Sequence, residues 1–326
     1  MAFEKKYYLK YPLDYNRLLN ILQDKNKKKV NFFVDLNSIC KGFYKAETVL
    51  YEVGEYAENG EVSGKLLREL KEWLNNLYRI FKGYDPFFIL FYDDGQCLQN
   101  RALMSTYKSG RSMHNLIVDD DHKTTDLFRK IKKWYYLKIK EQFEKPDLSY
   151  VLYSNEYETD LVPYYCWKYD VFDAAENEVL NLVLSVDKDL LQVVEANNFL
   201  QLVSGFKANN EKGRYELDLR IFDRKNAISY IYDKFQPGIL TAKYIPMILA
   251  ICGDKSDEIF GLSGYGPGKS VKLIEKNNIS WNIDDLKKDL NSMPEIIQKN
   301  INTIIRNYKL ISFEEQIKRL PKDFLK

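Results

Sequence analysis

Four stretches of the chain are apolar almost without interruption: VNFFVDL at 30–36, PFFILFYD at 86–93, SYVLYS at 149–154 and VLNLVLSVD at 179–187. Runs of this length, rich in β-branched and aromatic residues, predict strands covered on both faces. Helical periodicity separates them, clearest in KLLRELKEWLNNLYRIFK at 65–82 and in the basic-aromatic FRKIKKWYYLKIKEQFEK at 128–145. Strands alternating with helices predict an α/β unit with a mostly parallel sheet. FLQLVSGFK (199–207) and RYELDLRIF (214–222), joined by polar NNEKG, predict an antiparallel hairpin. Beyond about residue 224 the pattern is helical to the end, with no further strand signal. The expected division is 1–224 for the α/β domain and 225–326 for a helical one.

The strand ends carry acids. Asp35 closes the first run, Asp93 and Asp94 the second, and Asp187 the fourth, with Asp189 two residues on. After the third run, Glu156, Glu158 and Asp160 open a helical stretch. In a parallel sheet the C-terminal strand ends share one edge, where ligands bind, so acids far apart in sequence can meet there. Any one of them has an ordinary explanation as a turn former or helix cap, and Asp189 could cap LLQVVEA. Their repetition is what favours a shared site. Like charges about 4 Å apart repel by roughly 4 kcal/mol at an effective dielectric of about 20, so such a group calls for cations.

Composition narrows the chemistry. With 47 acids, 49 bases and a net charge of +2, the chain does not advertise a nucleic-acid binder, although segregated charge would be hidden in that balance. His114 and His122 are the two histidines, which argues against a Ser-His-Asp mechanism or a histidine-rich zinc site. Cys40, Cys97, Cys166 and Cys252 are widely spaced and read as reduced, buried residues. Carboxylates without histidine favour Mg²⁺ or Mn²⁺. Two such ions about 4 Å apart can activate water and stabilise a leaving oxygen in phosphodiester hydrolysis. No apolar run reaches membrane-spanning length and MAFEKKYYLK has no signal-peptide core, so a cytoplasmic location is expected.

One further segment joins acids to a glycine-rich turn. Gly253-Asp-Lys-Ser-Asp257 follows the apolar helix predicted at 244–252, and GLSGYGPGKS at 261–270 opens a second helix at 270–276. Asp254 and Asp257 suit a metal. Gly264, Gly266 and Gly268 permit positive φ and close backbone approach, and N–H groups at a helix start, with Lys269 and Ser270, can cradle a phosphate.

Taken in order, these segments resemble the 5′-nuclease (flap endonuclease) superfamily, and most of all phage 5′→3′ exonucleases and phage ribonuclease H. SVDKDLLQVV (185–194) is similar to its Ser-x-Asp-(Gly/Lys)-Asp strand end, and GDKSDEIFGLSGYG (253–266) to its Gly-Asp-x-x-Asp loop. YETD (157–160) resembles its Glu-Ala-Asp element, and FYDD (91–94) with YKSGR (107–111) its second strand and the basic residues beneath a helical arch. The resemblance implies a PIN-like, mostly parallel sheet flanked by helices, an arch over about 107–148, and a helix-three-turn-helix over about 239–278. It also implies one metal near Asp35, Asp93 or Asp94, Glu158, Asp160 and Asp187, and a second towards Asp189, Asp254 and Asp257. Where the family carries a further Asp, this chain has Leu161. Lys108 and Arg111 take the place of the scissile-phosphate contacts, with Tyr107 available to stack on the terminal base. The glycine turn would grip duplex through K⁺. The implied activity is Mg²⁺- or Mn²⁺-dependent 5′→3′ cleavage of DNA and RNA–DNA ends or flaps, with primer removal in phage-type replication as its setting. A monomer working beside replication proteins, such as a single-strand DNA-binding protein, is the corresponding expectation. The rival readings are a PIN-like endoribonuclease, typically shorter and without the helix-three-turn-helix, and a catalytically inactive module that binds branched DNA.

Overall fold

The apolar runs pair as strands β1 (Lys29–Asp35), β2 (Pro86–Asp93), β3 (Ser149–Ser154) and β4 (Val179–Leu184), followed by the hairpin β5 (Phe199–Asn209) and β6 (Arg214–Phe222). This is a computed structural model, describing residues 13–43, 65–93, 98–107, 137–209, 214–234, 240–321 and 324–325. The strands form one sheet in the order β3-β2-β1-β4-β5-β6. The first four pairings are parallel and the β5–β6 pairing is antiparallel. The α/β expectation with a mostly parallel sheet is therefore met. Strand order reverses between β1 and β4, which opens the crevice typical of such sheets at their C-terminal edge.

Alternation along the strands sorts two cores. Val30, Phe32, Val34, Phe88, Leu90, Leu180 and Leu182 face Leu18, Leu22, Leu70, Trp73 and Leu77 of the helices Tyr15–Asp24 and Lys65–Phe81. Phe33, Ile89, Phe91 and Val183 point the opposite way, into a cluster that continues through Ile248, Ile251, Ile304 and Phe313. With a period of two, Asp35 and Asp93 share the parity of Phe33 and Phe91. The acids at the strand ends thus fall on the side covered by the C-terminal helices.

Those helices are built around Ile245–Cys252, whose residues Ile245 to Ile251 are all buried. An all-apolar helix of this kind must be wrapped on every side. Glu295–Ile311 packs along it, and Pro267–Asn277 lies against it as the second helix of the turn. The chain between them is not wholly helical. Gly253–Asp254 and Ile259–Phe260 form a two-residue antiparallel ladder, a strand signal too short for periodicity to register. β4 also stops at Leu184, three residues before the apolar run ends, which frees Ser185 to Asp187 as loop. Of the basic-aromatic stretch, 137–143 is helical; residues 108–136 of the expected arch lie outside the described residues. No described helix is long and apolar enough to cross a membrane.

Two glycines close the ladder. Gly253 has φ 78° and ψ 170°, a region that glycine alone enters readily. A Cβ on Gly261 would lie 2.2–2.4 Å from backbone atoms of Cys252 and Gly253. Gly264 has φ 78° but open space around it. Gly261→Ala should therefore cost at least about 3 kcal/mol, at the upper end of overpacking penalties. Gly264→Ala should cost about 1 kcal/mol from backbone conformation alone. Urea midpoints that rank these two variants the other way would contradict the crossing.

Candidate metal centre

The sheet register supplies the first half of the site. Val34 pairs with Leu184, so Asp35 lies level with Ser185 on the neighbouring strand. Ser185 Oγ donates to Asp35 Oδ2 at 2.5 Å, and Ser38 N–H donates to Oδ1 at 3.0 Å. Ser185 Oγ also accepts from the Asp187 N–H, and Asp187 Oδ1 accepts from the Asp189 N–H, each at 3.0 Å. Buried Gln201 on β5 donates to the carbonyls of Ser185 and Asp187 at 3.0 and 2.6 Å. Ser38 Oγ accepts from Val186 N–H at 2.9 Å, tying the loop back to the segment after β1. Burial pushes the Asp35 carboxyl up to about 7; the Ser185 and Ser38 hydrogen bonds oppose that, and nearby Asp187 and Asp93 add to it.

Asp93 Oδ2 accepts from both the N–H and the hydroxyl of Thr159, at 3.0 and 3.1 Å, which fixes the turn that bears Glu158 and Asp160. Asn37 donates to the Asp93 carbonyl at 3.2 Å. Asp94, the other candidate on β2, lies outside the described residues. Glu158 is buried and Asp160 half-buried, whereas Glu156 is exposed. Leu161 turns into the core, so its position contributes no ligand.

The second half comes from the ladder. Oxygens of Asp189, Asp254 and Asp257 all lie within 4.8 Å of one another. Lys188 Nζ sits 2.7 Å from Asp254 Oδ2 and 3.0 Å from Ser256 Oγ, and Ser256 donates to Asp254 Oδ1 through both N–H and hydroxyl. The ladder itself is anchored by Asn307, a fully buried residue that donates to the carbonyls of Ala250 and Phe260 at 3.0 and 2.9 Å. Burial, then the charges of Asp187 and Asp257, raises the Asp189 carboxyl well above its ordinary value. Asp189 Oδ1 is sealed from solvent with no hydrogen-bond partner, and Asp189 does not cap the 3-10 helix that follows.

The two halves meet at Tyr107. Its hydroxyl lies 2.9 Å from Glu158 Oε1 and 3.0 Å from Asp257 Oδ2. The expectation that this ring is available to stack on a base does not fit that position: Tyr107 is 2% exposed, its ring belonging to the core. Asn100 donates to Glu158 Oε2 at 3.2 Å and is held in turn by Arg319 and Gln316. Lys108 and Arg111 lie outside the described residues.

The glycine turn differs in detail from expectation. Gly264 takes the positive φ, while Gly266 is extended, with φ −94° and ψ 179°. A Cβ on Gly268 would lie 2.8 Å from the far end of the Tyr232 ring, which would have to shift to admit it. Ser270 is buried with its hydroxyl donating to the Gly266 carbonyl at 3.1 Å, which turns it away from any ligand. Lys269 is exposed at the helix start, where no side chain caps Gly266.

An orphaned carboxylate oxygen amid converging acids fits a hard divalent cation, and the donor set is oxygen throughout. Cys252, next to Gly253, is no competing soft ligand, because burial and then the Asp254 charge push its thiol up to about 12. Of the supporting residues, Ser185 stood in the Ser-x-Asp-Lys-Asp motif without a role of its own, and Ser38, Gln201, Asn100 and Asn307 escaped the sequence reading. A polar Gln inside the apolar FLQLV was a legible signal among these four.

No protein-family model matches the chain. Among curated proteins it is 26% identical over 144 residues to a 5′-3′ exonuclease of Mycoplasma genitalium, covering 44% of this chain and 43% of that protein. It is 29% identical over 147 residues to the 5′-3′ exonuclease of Mycoplasma pneumoniae, covering 44% of each. The chain thus matches less than half the length of these relatives. Among solved structures, the flap endonuclease of bacteriophage T5 in complex with DNA and metal ions superposes with a TM-score of 0.61 at 15% identity, over 91% of this chain and 95% of that one. The chain has the fold of the T5 flap endonuclease. On that fold, the acids gathered here occupy the C-terminal sheet edge and the mouth of the interhelical turn.

If these carboxylates hold a divalent ion, Mg²⁺ or Mn²⁺ at a hundred times its dissociation constant should stabilise the folded chain by about 2.7 kcal/mol, a rise of several degrees in Tm. Asp189→Asn should abolish most of that gain while making the metal-free protein more stable, since it removes a buried carboxyl repelled by Asp187 and Asp257. Thermal unfolding with and without chelator measures both. A chain indifferent to Mg²⁺ and Mn²⁺ would contradict the metal centre.

Proposed function

We propose that this chain is a divalent-metal-dependent 5′→3′ nuclease that hydrolyses phosphodiesters at the 5′ ends or flaps of DNA and RNA–DNA duplexes, in the manner of primer removal. The observation that carries the reading is the meeting of Asp35, Asp93, Glu158, Asp187 and Asp189 with Asp254 and Asp257 from a separate helical layer. The T5 enzyme of like fold was crystallised with DNA and metal ions, and the partial sequence relatives are named as 5′-3′ exonucleases, which supports the same chemistry here.

Asp35, Asp93, Glu158, Asp160 and Asp187 would hold one Mg²⁺ or Mn²⁺, and Asp189, Asp254 and Asp257 a second. Bound there, such ions supply an activated water and offset charge on the transferring phosphate. The residues of the chain do the positioning. Ser185, Ser38 and Gln201 fix Asp35 and Asp187, Tyr107 spans Glu158 and Asp257, and Asn307 fixes the ladder that bears Asp254 and Asp257. Lys108 and Arg111 are assigned to the scissile phosphate as charge-assisted donors. The turn Gly264–Lys269 would hold duplex backbone, with K⁺ as the bridging ion, through contacts that fall with salt and ignore sequence. A single-strand DNA-binding protein is a candidate partner on the displaced strand.

Asp187→Asn and Asp254→Asn should each reduce cleavage of an end-labelled 5′-flap substrate by at least about 10³-fold in Mg²⁺, the scale of lost transition-state electrostatics, while duplex binding in Ca²⁺ is kept. Mg²⁺-dependent cleavage retained by both variants would overturn the assignment. An intact chain that binds branched DNA without cutting it would instead favour a non-catalytic module, and cleavage of single-stranded RNA alone would favour an endoribonuclease.

A further inference from the structure

The second half of the site contains its own cation. Lys188 stands between Asp187 and Asp189 in sequence, yet its side chain leaves them and crosses to the ladder, pairing with Asp254 Oδ2 at 2.7 Å and with Ser256 Oγ at 3.0 Å. Ser256 bonds the other oxygen of the same carboxylate at 2.6 Å, so Lys188, Ser256 and Asp254 form a closed triangle. Asp254 is 4% exposed, and an ion pair so enclosed is not screened as a surface pair would be. Burial works against the Lys188 ammonium, but Asp189 and Asp254 outweigh it and keep the lysine charged beyond its ordinary range.

One further feature bears on what this cation does. Lys188 makes its direct contact with Asp254 and acts on Asp189 only through space, leaving Asp189 Oδ1 without a hydrogen-bond partner. A divalent ion drawn to Asp189 and Asp257 would find both Asp254 oxygens already engaged, Oδ2 by Lys188 and Oδ1 by Ser256.

We propose that Lys188 is a resident counter-cation of the Asp189–Asp254–Asp257 cluster, competing with a divalent ion for Asp254 and setting how weakly the second ion is held. The inference rests on the metal-dependent reading of the site. Lys188 is thereby a positioning residue that stabilises the metal-free cluster and lowers its affinity for the ion.

The test uses the full chain without nucleic acid, titrated with Mn²⁺ and read by the electron paramagnetic resonance of free Mn²⁺. Lys188→Met keeps the aliphatic stem and removes the charge. It should tighten the weaker Mn²⁺ site by tenfold or more and lower the Tm of the chelated protein. Lys188→Arg, which keeps the charge, should leave the weaker site near its original affinity. Ser256→Ala, which removes the second anchor of the ammonium, should tighten it by a smaller factor and serves if Lys188→Met fails to fold. Unchanged or weaker Mn²⁺ binding in Lys188→Met and Ser256→Ala, with two sites present in the parent chain, would overturn the competition alone. Absence of Mn²⁺ binding in the parent and in every variant would overturn the metal centre itself.

Discussion

Everything at this site follows from one electrostatic constraint: seven carboxylates must be held together at a largely dry sheet edge. Left alone, such a group would fly apart or protonate, because each pair at contact repels by kilocalories in a protein interior. The chain answers with short neutral donors. Ser38, Ser185, Thr159, Asn100 and Tyr107 each direct an O–H or N–H at a carboxylate oxygen, and Gln201 pins the intervening backbone. Neutral donors orient anions without discharging them, so the capacity to attract a cation survives.

The same constraint explains why the fold needs its helical layer. A parallel sheet can bring Asp35, Asp93 and Asp187 to one edge, but it cannot supply ligands from above. The apolar helix Ile245–Cys252 is buried so thoroughly that its end is a rigid platform, and the Gly253–Gly261 crossing turns the chain back on that platform within nine residues. Asn307 then satisfies two carbonyls that the crossing would otherwise strand, at Ala250 and Phe260. Packing, backbone conformation and one buried amide together fix where Asp254 and Asp257 stand.

How much of this could be read beforehand depended on the kind of signal. The strands were legible because each is a run of large apolar residues, and β2 and β3 matched their runs from end to end. The acids were legible because Asp at a strand end is a local pattern repeated in several places. The order of the sheet and the side on which the acids lie follow from parity once pairing is known. What stayed hidden was long-range and polar: Asn307 to Phe260, Gln201 to Asp187, and Asn100 to Glu158 join residues with no periodic relation. Tyr107 and Ser270 misled for a related reason, since a tyrosine before a basic cluster and a serine at a helix start look exposed until the core is seen to claim them. The glycines divided likewise. Gly264 serves backbone conformation and Gly268 serves the Tyr232 ring, a distinction no glycine spacing encodes.

The two halves of the site solve the shared repulsion differently, and that difference has a physical meaning. Around Asp35 the relief is a raised carboxyl held by serine and backbone donors, a state that a proton can occupy and a stronger cation can take over. Around Asp254 the relief is a full positive charge on a flexible stem, tied at two points. A proton leaves a carboxylate when a divalent ion arrives, whereas an ammonium must swing away and be solvated elsewhere. Lys188 is 28% exposed, so that path to water is open, but the motion costs an ion pair in a place where ion pairs are poorly screened. On the proposed reading, an ion drawn to Asp35 meets serine and backbone donors, whereas one entering the second half must first move Lys188.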